Sequence, residues 1–179
     1  MKSLLKTVLI TFVFLTICCG TLKAQAEDNS RGYLVNVGDM APDFKTTLNN
    51  GEKFKLSDHR GKVIMLQFTA SWCGVCRKEM PFIESEIWQE LKNKNFVLIG
   101  IDRNEPLEKV NEFAQQTNIT YPLGLDPGGA IFEKYAMKNA GITRNVIIDE
   151  QGIIIYLTRL FNREEFDEMK KVLFESVKH

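Results

Sequence analysis

Two stretches of this chain are apolar at almost every position: Val63-Ile64-Met65-Leu66-Gln67-Phe68 and Phe96-Val97-Leu98-Ile99-Gly100-Ile101. Runs of that density suit strands buried on both faces of a sheet. Between them Met80, Ile83, Ile87 and Leu91 recur at helical spacing, and Pro81 inside the stripe predicts a kink. Pro106 suits a helix first turn, with Leu107, Val110, Phe113 and Ala114 on its inner face. Tyr121 to Leu125 reads as a short strand and Ala130 to Met137 as a short helix. Asn145 to Asp149 and Ile153 to Thr158 are strands joined around Glu150-Gln151-Gly152. Asn162 with Glu165 predicts a capped helix whose inner face is Phe166, Met169, Leu173 and Val177. Upstream, Asp43 to Leu48 and Lys53 to Leu56 flank Asn49-Asn50-Gly51, the pattern of a hairpin, and Ser57 to Lys62 reads as a polar loop. The order predicts one α/β domain with a mixed sheet.

Composition narrows this further. A chain of 179 residues with 44% hydrophobic and 26% charged positions fits about one domain with a packed core. No internal repeat suggests a solenoid. The first 26 residues change the charge picture. They hold Lys2, Lys6 and Lys23 and no acid, whereas the whole chain has 23 basic and 23 acidic residues. Without those three lysines the remainder carries a net charge of −3. A mildly acidic body with no basic run offers no footprint for nucleic acid. Gly128-Gly129 lacks the spacing of a phosphate-binding loop.

The N-terminus reads as an export signal. A short basic start leads into an apolar segment from Thr7 to Cys19, too short for a permanent span, and then Ala24-Gln25-Ala26. The expected organisation is a signal peptide over 1–26, a flexible leader over 27–36 and one domain over 37–179. Leu15-Thr16-Ile17-Cys18 also loosely matches a lipoprotein box, so lipidation at Cys18 or Cys19 is a second processing route, although Ile17 is bulky for it.

Of the four cysteines, cleavage after Ala26 leaves Cys73 and Cys76. Closing so short a loop restricts the unfolded chain little, so the pair reads as chemical rather than structural. Trp72-Cys73-Gly74-Val75-Cys76 follows a buried strand and opens a helix. Unsatisfied N–H groups and the positive end of the helix dipole there favour thiolate over thiol at Cys73. Cys76, one turn on, is placed to attack a mixed disulfide and release the substrate.

The chain resembles the thioredoxin superfamily, in particular its exported TlpA/ResA-like branch, from about Val37 to Val177. The resemblance is carried by Gly38, Ala41, Pro42 and Phe44, by Phe68-x-Ala70-x-Trp72-Cys73-x-x-Cys76, and by Arg77-Lys78-Glu79-Met80-Pro81. It implies a thioredoxin-like fold: a mixed central sheet flanked by helices, an N-terminal β-hairpin, and a strand–helix insert around Tyr121–Tyr135. By spacing alone Glu79 is a solvated first-turn glutamate. The resemblance instead implies an acid beneath the disulfide that moves protons to and from the buried cysteine, which requires burial and a raised pKa. Both readings stand at this point. The resemblance also implies that Trp72 shields the pair, and that Ile142 and Thr143 border the substrate groove. Thr143 departs from the family pattern, because it occupies the place of a cis-proline. A cis bond before a non-proline residue costs about 2.5–4 kcal/mol, so the Ile142–Thr143 bond is expected to be trans. Trp88 and the methionines at helical spacing read as packing, His59 as a surface residue, and His179 as frayed.

The leading expectation is a periplasmic or cell-envelope thiol–disulfide oxidoreductase. Cys73 attacks and Cys76 resolves; no cofactor is expected beyond the redox-active disulfide itself. Its partners would be disulfide-containing exported proteins and, for reduction, an upstream membrane electron donor. No nucleic acid and no permanent membrane span after processing are expected. Two alternatives stay open. A peroxiredoxin-like peroxidase is disfavoured because Ala70 stands where its motif expects threonine. A non-catalytic Cu(I)-binding module would use the same two thiolates; no metal site with further ligands is expected.

Overall fold

A computed structural model describes residues 31–177. The expected signal peptide, with Cys18 and Cys19, residues 27–30 and His179 lie outside the described residues.

The two apolar runs form the centre of a five-stranded sheet. In chain order the elements are β1 (Lys45–Thr47), β2 (Lys53–Lys55), β3 (Val63–Thr69), α1 (Gly74–Ile83), β4 (Phe96–Arg103), α2 (Leu107–Thr117), β5 (Leu123–Asp126), α3 (Phe132–Tyr135), β6 (Arg144–Ile148), β7 (Ile154–Arg159) and α4 (Arg163–Ser176). The sheet order is β5-β4-β3-β6-β7, with β1 and β2 forming a separate hairpin. β3 pairs parallel with β4 and antiparallel with β6, so the sheet is mixed. Every residue of β3 and of β6 is buried. Each large apolar side chain so enclosed contributes about 1.5–3 kcal/mol.

The helices bury the faces their periodicity marks: Met80, Ile83 and Ile87 from α1 and its continuation, Val110 and Phe113 from α2, and Phe166, Met169 and Leu173 from α4. Beyond Pro81, α1 widens into a π-turn over Glu84–Trp88 before regaining α geometry at Gln89–Leu91. Proline has no N–H to donate, so the ladder must be re-formed after it. The Glu84 N–H reaches both the Met80 and Pro81 carbonyls, and the Ser85 hydroxyl donates to the Pro81 carbonyl at 2.8 Å.

Several expectations shift. The 57–62 loop begins inside a 3₁₀ turn, Leu56–His59. His59 is half-buried, its ring stacked on Phe54 at 4.5 Å, rather than free at the surface. Leu107, expected on the inner face of α2, is exposed. α3 is shorter than expected: the Asp126 carboxylate takes the Ile131 and Phe132 N–H groups at its start, and Ala136 turns extended to bridge Tyr33. Tyr33 and Val35, which fall within the expected leader, are buried. Leu34 N–H donates to the Tyr135 carbonyl, and the chain then runs along the β7 edge, where Gly38 N–H donates to Ile154 and Ala41 N–H to Gly152.

Among the described residues no helix is long and apolar enough to cross a membrane.

Candidate active site

β3 delivers the chain to the site. It ends at Thr69, and a short loop leads to Cys73, which is the N-cap of α1 with extended backbone (φ −86°, ψ 103°). The Cys73 N–H donates back to the Ala70 carbonyl at 3.0 Å, and the Cys76 N–H donates to Cys73 Sγ at 3.2 Å. One of the orphan donors of the helix therefore points at this sulfur. Cys73 and Cys76 are joined as a disulfide with a Cα–Cα distance of 5.3 Å, inside the range such a bond needs. Cys73 is 8% exposed and Cys76 is fully buried, so only the first sulfur is open to attack. Trp72 beside it is 65% exposed.

The loop before the pair is clamped from two sides. Ser71 donates its N–H and its hydroxyl to the Glu105 carboxylate, both at 2.5 Å. Arg77 Nε donates to the Ser71 carbonyl at 2.7 Å, while its guanidinium sits 4.9 Å above the Phe113 ring. Sequence reasoning missed Glu105. The available signal was positional: β3 and β4 are parallel neighbours, and groups just past their carboxyl ends gather on one side of the sheet. Asp102, also missed, pairs in register with Thr69 and is wholly buried. Burial, followed by the neighbouring Glu105, raises its pKa to about 8.

Glu79 is not the solvated first-turn residue that spacing alone suggests; it is 1% exposed. Its Oε1 accepts from Asn145 Nδ2 at 2.7 Å and its Oε2 from Gln67 Nε2 at 3.4 Å. The Tyr121 hydroxyl holds Gln67 from the other side at 2.7 Å. Burial pushes the Glu79 carboxyl up to about 7, against the two amide hydrogen bonds that favour its charged form. A proton can therefore be held or released there near neutrality.

Thr143 lies against the disulfide. Its Oγ1 is 3.1 Å from Cys73 Sγ and 3.3 Å from Cys76 Sγ, and the side chain is 2% exposed. The Ile142–Thr143 bond is trans, as expected. Ile142 is buried and presents no exposed side chain. Arg144, fully buried, braces this loop: its Nε donates to the Gly141 carbonyl at 3.1 Å and its guanidinium stacks 4.3 Å above the Tyr33 ring. Trp88 is packed away from the pair, donating to Thr120 Oγ1 at 2.9 Å. Among the described residues no group of three or more His, Cys, Asp or Glu is placed to hold a metal ion.

Comparison with known proteins agrees with this geometry. The Redoxin family profile matches residues 36–173. The thiol-disulfide oxidoreductase ResA of Bacillus thuringiensis subsp. konkukian is 30% identical over 152 residues, covering 82% of this chain and 84% of ResA. A solution structure from Bacteroides thetaiotaomicron, with the working assignment of protein disulfide isomerase, is 62% identical with a TM-score of 0.80, covering 83% of this chain and 94% of that one. A Chlorobium tepidum crystal structure, with the working assignment of thiol:disulfide interchange protein DsbE, is 25% identical with a TM-score of 0.71, covering 80% and 99%.

Proposed function

We propose, from the premise that this chain belongs to the Redoxin family and is a thioredoxin-like thiol–disulfide oxidoreductase related to ResA, that it reduces protein disulfides in the periplasm or cell envelope through its Cys73–Cys76 dithiol. The observation that carries the reading is the asymmetry of the pair: one sulfur at the helix N-cap, receiving an N–H and slightly open, the other one turn deeper and enclosed.

The chemistry follows from that asymmetry. The Cys73 thiolate attacks one sulfur of a substrate disulfide, and the other substrate sulfur leaves as a thiolate. Cys76, deprotonated, then attacks Cys73 Sγ, closing the internal disulfide and expelling the second substrate thiolate. Two electrons pass to the substrate. Glu79 takes up the proton Cys76 loses, a role its burial and its near-neutral carboxyl support. Exposed Trp72 forms one wall for a substrate segment, and the backbone of the Ile142–Thr143 loop, whose side chains are enclosed, forms the other. A dithiol donor at the membrane must return two electrons after each cycle. The basic start, apolar run and Ala24-Gln25-Ala26 support export. Exchange is favoured over peroxide chemistry because Thr69, the nearest preceding threonine, directs its hydroxyl to Met80 Sδ at 3.5 Å.

Reduction of insulin disulfides by the dithiol-charged protein tests this directly. Cys73→Ser is expected to abolish turnover, and Cys76→Ser to accumulate mixed disulfides with substrate. Full turnover by Cys73→Ser, or no exchange at all by the reduced wild type, would overturn the assignment.

A further inference from the structure

The sulfurs of a disulfide carry no hydrogen. The hydroxyl of Thr143, 3.1 Å from one and 3.3 Å from the other, is therefore the donor of both contacts. Among the described residues these two sulfurs are the only acceptors it meets. Its orientation is fixed from behind: the Thr143 carbonyl accepts the Leu160 N–H at 3.1 Å, and Arg144 ties the preceding turn at Gly141. The hydroxyl is enclosed, so water does not compete for it.

We propose that Thr143 is a catalytic hydrogen-bond donor that serves the two sulfurs in turn. The inference rests on Cys73 being the attacking sulfur. In the reduced protein the hydroxyl donates to the Cys73 thiolate, adding to the Cys76 N–H already aimed there. Once Cys73 is bound in a mixed disulfide, its sulfur is neutral and a poor acceptor. The same hydroxyl then turns to the nascent Cys76 thiolate, 0.2 Å further away in the disulfide form. No proton is transferred to or from Thr143; it lowers the energy of whichever sulfur holds the charge. A hydrogen bond to a charged acceptor is stronger than one to a neutral sulfur. The reduced state therefore gains more from Thr143 than the oxidised state does, and the couple becomes more oxidising. The titratable group on the helix that carries the cysteines is Glu79, held by Asn145 and Gln67, and substitution at Thr143 leaves those two hydrogen bonds in place.

The test compares Thr143→Val, Thr143→Ala and Thr143→Ser. Val keeps the shape and loses the hydroxyl, Ala loses both, and Ser keeps the hydroxyl alone. The readout is the iodoacetamide alkylation rate of Cys73 in the reduced protein at about pH 6, well under the ordinary thiol pKa of about 8.5. Peptide mass analysis assigns the label to Cys73, and circular dichroism confirms the fold. Val and Ala are expected to slow alkylation by about tenfold, the size of one charge-assisted hydrogen bond to a soft acceptor, while Ser stays near the wild-type rate. A tenfold change in the thiolate equilibrium shifts the midpoint potential, measured above the Cys73 pKa, to about 30 mV more reducing. Wild-type rates in Val and Ala, or a loss in Ser equal to that in Ala, would overturn the proposal. Alkylation needs no substrate disulfide, so this result stands apart from the insulin assay. Inactivity of the wild type toward insulin with an intact Thr143 effect would sink the reductase reading alone.

Discussion

Glu79 shows how a single enclosed residue sets pH behaviour. Its carboxyl titrates near about 7 in the fold against an ordinary value of 4.5. The native state therefore holds a proton at pH values where the unfolded chain has lost it. Stability is fullest below about pH 4.5 and falls as pH rises to about 7, by about 3 kcal/mol for this group. Asp102, raised from 3.8 to about 8, acts in the same direction over a wider window that encloses that of Glu79. Glu79→Gln keeps the size and removes the charge. Thermal melts between about pH 5 and 8 are expected to flatten in this variant relative to wild type. If Glu79 takes the Cys76 proton, the inflection near pH 7 in kcat/KM for disulfide reduction also disappears. A kcat/KM profile unchanged by Glu79→Gln would remove the proton-transfer role while leaving the stability effect.

At the scale of elements, the π-turn in the helix that begins at Cys73 has a consequence beyond repairing the proline gap. It carries Glu84, a buried acid, against the segment that leads into β5. The Glu84 carboxylate accepts the Thr120 N–H and hydroxyl, each at 2.7 Å, and Gln89 Nε2 at 2.6 Å. Helix and loop are thus fastened by hydrogen bonds to a charged group, which are worth more than neutral ones. Glu84→Ala is expected to cost about 2–3 kcal/mol by denaturant titration, with faster amide exchange at Thr120. A loss under about 0.5 kcal/mol would show the turn to be held by packing alone. The stripe Met80-Ile83-Ile87-Leu91 is legible in the sequence, and Pro81 marks where the ladder is interrupted. The π-turn is not legible there, because a proline says where a ladder breaks and not how it re-forms.

Across the whole molecule, the segment Tyr33–Ala41 links the far edge of the sheet to the active-site loop. The Tyr33 hydroxyl reaches the Thr158 carbonyl at 2.5 Å and the Asn145 carbonyl at 3.1 Å, and its ring supports the Arg144 guanidinium. Arg144 in turn holds Gly141, two residues before Thr143. Tyr33→Phe keeps the ring under Arg144 and leaves the carbonyls without their donor. A stability loss of about 1–2 kcal/mol is expected, read as a lower melting temperature. An unchanged melting temperature would show that the segment is only draped on the domain. The sheet itself depends on close approach at Gly100, where an added Cβ would lie 2.4 Å from Leu123 Cδ2. That glycine sits in an apolar run that suggests only a buried strand, with no sign of why a side chain is excluded.

By itself the sequence determined the elements and their kind. Buried strands, helical stripes and the placing of Cys73 at a strand-to-helix junction follow from local periodicity and local dipoles, which need no distant partner. It left Glu79 balanced between two readings, and only the tertiary structure decided for burial, by setting Gln67 of β3 and Asn145 of β6 around it. The same holds for the Ser71–Glu105 clamp, separated by 34 residues, and for Thr143 against Cys73, separated by 70. Those contacts depend on which strands are neighbours and in what register, and a pattern with a period of a few residues carries no information about either.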